Sequence, residues 1–76
     1  AAYEIPAVEL MNALRWVLAQ NGASPRADLF RATSLLLGFP RRTPRITAAL
    51  DASLVTLLLN KSLQANGDII MLNTTD

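Results

Sequence analysis

The chain of 76 residues contains no cysteine and no histidine. It can therefore form no disulfide bond, and it lacks the imidazole group that serves most often as a general base or metal ligand. Its three glycines are isolated, so there is no glycine-rich phosphate loop. Lys61 is its only lysine, and its acidic residues are dispersed along the chain. We therefore expect no catalysis, no cofactor and no metal site in this chain, and we expect apolar packing to stabilise it.

Charge is also scarce. Charged residues make up 17% of the chain and hydrophobic residues 51%, whereas an average globular domain has about 25% charged residues. A chain of this length forms one domain, here residues 1–76, and it is close to the size at which a single core becomes marginal. This composition predicts a folded domain that leaves apolar surface uncovered when it stands alone.

Long apolar runs are missing as well. No uninterrupted stretch approaches the roughly 18 residues that a membrane helix requires, and no basic segment followed by an apolar one opens the chain as in a signal peptide. The chain begins with Ala-Ala and not with Met. We interpret it as a piece excised from a longer cytoplasmic protein, with no membrane partner.

Three segments carry apolar side chains at helical spacing, each bounded by residues typical of helix ends. The first segment runs from Pro6, placed in the first turn, to Asn21-Gly22. The second has Ser24 as N-cap and Pro25 as first helical residue, and it ends at Gly38. The third has Thr43 as N-cap and Pro44 as first helical residue, and it ends at Asn60-Lys61. The third segment has the strongest helical pattern, and its predicted core residues are Ile46, Leu50, Leu54 and Leu57.

A β-hairpin follows the third helix in this prediction. Asn66-Gly67 separates two short runs at 62–65 and 68–72, and Asn-Gly is typical of a type I′ turn because that turn needs positive φ at both central residues. Three helices followed by a hairpin predict an α+β fold: a winged-helix-like three-helix core with a C-terminal two-stranded wing.

The charges that are present are segregated. Between residues 26 and 45 there are five arginines and one aspartate, a local charge of +4, whereas the rest of the chain carries −3 and the total is +1. Arg41, Arg42 and Arg45 surround the start of the third helix, which in a helix-turn-helix enters the major groove with its N-terminus. Arginine grips phosphate with two parallel hydrogen bonds. These three residues are therefore candidate nucleic-acid contacts, or else an ordinary solvated loop.

Weaker contributions to such a site would come from Arg26, Arg31 and Lys61. The predicted hairpin argues against DNA binding, because its tip carries Asp68 and no basic residue. Neither DNA nor RNA is favoured as the partner by the sequence, and a monomer and a weak homodimer both remain open.

Two leucine triplets, Leu35-Leu36-Leu37 and Leu57-Leu58-Leu59, support a rival interpretation. Three consecutive helical residues span about 200° of the helix surface at 100° per residue, so one leucine of each triplet should face away from a one-sided core. A contiguous patch of such leucines, with Val55, would mark a protein-interaction surface on which the parent protein or a partner docks. Burial or scatter of these side chains is the alternative.

The chain resembles a bacterial domain of unknown function found at the C-terminal end of large superfamily I helicase-like proteins. The resemblance covers nearly the whole chain and rests on Tyr3, Pro6, Gly22, Asp28-Leu29, Leu37-Gly38, Arg42, Arg45-Ile46 and Asp68-Ile69-Ile70. Members of that family more often have an acidic residue, Gly, Pro and a β-branched residue at the positions of 21–24, which argues against a short first strand here. The resemblance implies an accessory module of a DNA- or RNA-processing ATPase and supplies no catalytic residue.

Overall fold

The computed structural model describes residues 6–39 and 43–73. Three helices and a three-stranded antiparallel sheet follow one another as α1 (Ala7–Asn21), β1 (Ser24–Pro25), α2 (Arg26–Leu36), α3 (Pro44–Leu59), β2 (Leu63–Asn66) and β3 (Ile69–Leu72). The predicted α+β class and the three predicted helices are confirmed. Within the described ranges, none of these helices has the length and apolar character needed to cross a bilayer.

The third helix begins as its sequence predicts. Thr43 is the N-cap: its hydroxyl oxygen accepts a hydrogen bond of 3.2 Å from the backbone N–H of Ile46, and Pro44 is the first helical residue. The end of α1 is also as expected, because Gly22 adopts a φ of 79° and its N–H donates to the carbonyl of Leu18 at 2.8 Å.

The predicted start of the second helix is wrong. Ser24 and Pro25 form strand β1, and α2 begins only at Arg26 with Pro25 as its N-cap. The Ser24 hydroxyl donates to the carbonyl of Gly22 and caps no helix. The reason is pairing with β3, which holds these residues extended, while the N–H of Arg26 at the start of α2 donates to the carbonyl of Asp68 at 2.9 Å. The short first strand, against which the departure from the family pattern spoke, is therefore present, and the sheet has three strands. At α1, Pro6 is likewise the N-cap and lies just outside the helix.

Strand β3 lies in the middle of the sheet, between β1 and β2. Its register sets Ile70 opposite both Ala65 of β2 and Ser24 of β1. The predicted hairpin is present, but its two-residue loop is Gly67-Asp68, because Asn66 already pairs with Ile69. Gly67 has a φ of 63° and Asp68 has no positive φ, which is the φ pattern of a type II′ turn and corrects the type I′ prediction.

The core lies where the three helices and one face of the sheet meet. Its fully or almost fully buried members include Leu14 of α1, Leu29 of α2 and Leu50 of α3, with Leu63 and Ile70 from the sheet. The prediction that α3 buries Leu50, Leu54 and Leu57 is confirmed. Ile46 is only partly buried, because it lies in the first turn of α3, at the edge of the core.

Candidate docking surface

One face of α3 presents exposed apolar side chains from the first turn of the helix to its last. Residues at spacings of four, four, three and four share one helix face, and here they are Pro44, Ala48, Ala52, Val55 and Leu59, all exposed. We call this set the outer face of α3. Val55 is 46% exposed and Leu59 78% exposed. A surface helix of a free-standing domain normally presents polar and charged residues on this side.

The two charged residues of α3 that border the outer face differ in whether they form an ion pair. On one side lies Asp51, four residues before Val55, and its carboxylate forms an ion pair with Arg26 of α2. On the other side lies Arg45, which is exposed and has no ion pair or side-chain hydrogen bond to any described residue. The net charge along the border of this face is therefore positive.

A groove of about 410 Å³ lies between α1 and α3, beside the outer face. Helix α1 contributes Ala7, Leu10 and Met11, and α3 contributes Ala49, Ala52, Ser53 and Thr56. Ala52 belongs both to this α1–α3 groove and to the outer face of α3, so the two form one continuous surface. The Thr56 hydroxyl donates to the carbonyl of Ala52 at 3.1 Å, which leaves that side chain with an internal partner.

The structure divides the leucine triplets between core and surface. In the second triplet Leu57 is buried, Leu58 is partly buried and Leu59 is exposed, as the helical geometry predicts. In the first triplet two leucines are exposed, Leu35 at 67% and Leu36 at 47%. Val55 and Leu59 share one face of α3, whereas Leu35 and Leu36 lie on α2. The exposed patch is therefore built on α3, without a contribution shown for the first triplet.

The six cations predicted to contact nucleic acid are not in equivalent positions. Arg41 and Arg42 lie outside the described residues. Arg45 is exposed in the first turn of α3. Arg26 is engaged by Asp51, and its guanidinium carbon also lies 5.3 Å from the centroid of the Phe30 ring, so a phosphate would have to compete with a carboxylate for it.

The remaining two cations of this set, Arg31 and Lys61, lie apart from Arg45. Arg31 lies 3.5 Å from the carboxylate of Asp28, one turn earlier on α2. Lys61 follows the C-terminal end of α3 with a φ of 68°, and the rise of 1.5 Å per residue separates it from Arg45 by about 20 Å or more. The four described members of the predicted set are therefore distributed over the two ends of α3 and over α2.

The sequence-based analysis did not identify the α1–α3 groove or the alanines of the outer face. The signal was present, because Ala48 and Ala52 continue the spacing of Val55 and Leu59 on the side of α3 opposite Leu50 and Leu54. Alanine is common in helices, so its presence in a helical segment does not by itself indicate an interface. Its importance here comes from its position on the exposed face of the helix, between the charged residues Arg45 and Asp51 at the border of that face.

Among residues 6–39 and 43–73 no three side chains of the metal-binding types come together. A comparison of the chain with protein-family models, with curated proteins and with solved structures gives no match.

Proposed function

We propose that this chain is a non-catalytic interaction module that docks on another domain of its parent protein, or on a partner protein, through the outer face of α3. The observation that carries the proposal is a row of exposed apolar side chains on one face of α3, whose opposite face already fills the core; the row consists of Ala48, Ala52, Val55 and Leu59. Contiguous apolar surface of this kind marks interfaces in soluble proteins.

A winged-helix architecture is part of this proposal. Its support is the element order, in which a short strand follows the first helix and a hairpin follows the third, together with the β1-β3-β2 strand order. In a helix-turn-helix that reads DNA, the second helix of the motif presents polar side chains to base edges. The corresponding helix here, α3, presents alanine, valine and leucine, which supports docking on protein.

The resemblance to a C-terminal domain of large helicase-like proteins suggests the setting in which such a module would work. A domain with an apolar face and no catalytic group is suited to hold parts of a large ATPase together.

The docking proposal is tested by selecting binders from a phage-displayed library of random 16-residue peptides on the 76-residue chain. We expect selected peptides to shift the backbone amide NMR signals of Ala52, Val55 and Leu59. The double variant Val55→Lys/Leu59→Lys should lose binding by at least tenfold, because both side chains are exposed and lysine places charge in an apolar contact.

The matched control is Gln20→Lys/Ala27→Lys, which adds the same charge at exposed positions of α1 and α2. Both variants should melt like the wild type, since surface substitutions away from packed groups change stability by about 0.5 kcal/mol or less. Peptides that perturb only the sheet or α2, or a library that yields no binder, would refute docking through α3.

A second candidate function is weak binding of a DNA or RNA backbone. It is favoured by one observation, that Arg45 is exposed and free of carboxylate partners in the described residues at the N-terminal turn of α3. Arg41 and Arg42 precede it in the chain and would add charge. With so few cations the expected affinity is in the nonspecific range of about 10⁻⁴–10⁻⁶ M.

Titration of labelled duplex and single-stranded DNA into the chain at low salt tests this candidate. The triple variant Arg41→Ala/Arg42→Ala/Arg45→Ala should abolish binding, whereas Arg31→Ala should weaken it only slightly. Affinity should fall as salt rises, because phosphate contacts release counterions. Binding that ignores salt, or that survives the triple variant, would exclude a role for these arginines.

A further inference from the structure

The α1–α3 groove, with a volume of about 410 Å³, has the mainly apolar lining that is typical of helix-binding sites. Small side chains, Ala7, Ala49, Ala52 and Ser53, form much of its wall, so an occupant's side chains can enter between the two helices. Met11 adds a flexible apolar side chain of the kind that adapts to varied partners. Amphipathic helices commonly dock into grooves of this kind through residues at i, i+3, i+4 and i+7.

The lining argues against a small polar ligand. None of the described residues that line the groove is charged, and the Thr56 hydroxyl already donates within its own helix. Specific polar ligands require convergent hydrogen-bonding groups to fix their orientation. The occupant must therefore gain its affinity from apolar contact with the groove and with the adjoining outer face of α3.

Among residues 6–39 and 43–73, the charged side chains one turn from the groove lining are both arginines. Arg45 precedes Ala49 by four residues and Arg15 follows Met11 by four, so each lies one turn beyond a lining residue on the same side of its helix. Both are exposed, and the side-chain partner of Arg15 is the uncharged Asn12 amide, at 2.7 Å. Glu9 lies two residues before Met11, about 200° around α1, and so faces away from the groove.

We infer that the occupant of the α1–α3 groove is an amphipathic helix whose apolar stripe is flanked by acidic residues. This inference rests on the proposed docking function and names its partner class. Acidic flanks would meet Arg15 and Arg45, and complementary charge raises the rate of encounter and selects the partner.

A second copy of the chain fits the surface less well. Antiparallel pairing of two α3 helices would bring Arg45 of one copy to the end where Lys61 of the other lies, and parallel pairing would oppose the two Arg45 side chains. The outer face of one helix of 16 residues is about 24 Å long. Such a strip is small beside the roughly 800 Å² per partner of a standard stable interface.

The test uses three synthetic 16-residue helical peptides with fluorescein at one end. The first has leucine at i, i+3, i+4 and i+7 with glutamate on both sides, the second has lysine in place of each glutamate, and the third keeps glutamate but has glutamine in place of leucine. Fluorescence anisotropy gives each affinity at low salt, and NMR shifts of Met11, Ala49 and Ala52 locate the binding.

We expect the first peptide to bind at least tenfold more tightly than either of the others, with shifts at the groove. The variant Arg15→Glu/Arg45→Glu should reverse the preference in favour of the lysine peptide. Arg45→Glu alone should reduce the preference, whereas Arg31→Glu, with the same change in net charge on α2, should leave it unchanged. Circular dichroism establishes that each variant is folded.

The other outcomes each overturn the inference in a distinguishable way. Equal affinity for the glutamate and lysine peptides, with shifts at Ala52, would refute the inference of an acidic partner but would still support docking through α3. Signals of α3 that move with the concentration of the chain alone would assign the surface to a second copy. Shifts at the groove produced by an oligonucleotide in place of the peptides would assign it to nucleic acid, and the absence of any groove binding would refute both the inference and the docking function.

Discussion

Arg26 of α2 forms an ion pair with Asp51 of α3, and it thereby joins the two helices at the edge of the outer face of α3. Asp51 is the only acidic residue of α3. Because its charge is matched by Arg26, α3 offers a partner no unpaired carboxylate beside Val55. The pair thus connects the packing of α2 on α3 to the positive character of the candidate docking surface.

The Arg26–Asp51 pair should contribute little to stability. Its side chains are 45% and 43% exposed, and exposed pairs typically contribute about 0.2–1 kcal/mol. A double-mutant cycle with Arg26→Ala and Asp51→Ala, measured by urea unfolding, should give a coupling free energy in this range that decreases at high salt. A coupling free energy of about 3 kcal/mol or more that does not change with salt would contradict this prediction, because it is the behaviour of a buried ion pair.

Leu50→Ala should destabilise the domain severely. Leu50 is completely buried between α3 and the rest of the core, and truncation of a buried leucine costs about 2–5 kcal/mol. The matched control is Leu59→Ala, which removes the same atoms from an exposed position of the same helix and should change the free energy of unfolding by about 0.5 kcal/mol or less. Thermal melts of equal midpoint for the two variants would contradict the packing of α3.

Gly67→Ala should destabilise the hairpin through its backbone alone. Gly67 has a φ of 63°, and a Cβ atom at this position would meet nothing within 4 Å. The cost of placing an L-residue there is about 1–2 kcal/mol, with no steric clash to add to it. Chemical denaturation should show this loss for Gly67→Ala and no comparable loss for the exposed Gln64→Ala. An unchanged midpoint for Gly67→Ala would mean that the turn adopts another conformation.

Most of the elements that were predicted correctly from the sequence are determined by residues close to one another in the chain. Thr43-Pro44 starts α3 because the cap and the first helical residue act within four residues of chain, and Gly22 ends α1 for a similarly local reason. Ser24-Pro25 has the same local signal, but its pairing with β3, more than 40 residues later, prevailed. A strand of two residues has no periodicity by which a sequence could reveal it.

The candidate site was harder to predict because α3 is apolar on two sides. Leu50 and Leu54 mark one side, and Ala48, Val55 and Leu59 mark the other. Helical spacing shows that both sides exist, but only the position of α1 decides how much of the second remains exposed and where the groove opens. The arginines were visible as a charged segment, yet spacing along the chain did not reveal that Asp51 engages Arg26.

The most direct test of the docking surface is protection of a single thiol on α3. The chain has no cysteine, so Val55→Cys provides a unique reactive group on the outer face, and Gln20→Cys provides an exposed control on α1. The rate of reaction with a disulfide reagent is measured for each variant with and without a saturating peptide selected on the wild-type chain. Docking through α3 predicts at least a tenfold slower reaction at position 55 and an unchanged rate at position 20, whereas equal rates with and without peptide at position 55 would contradict it.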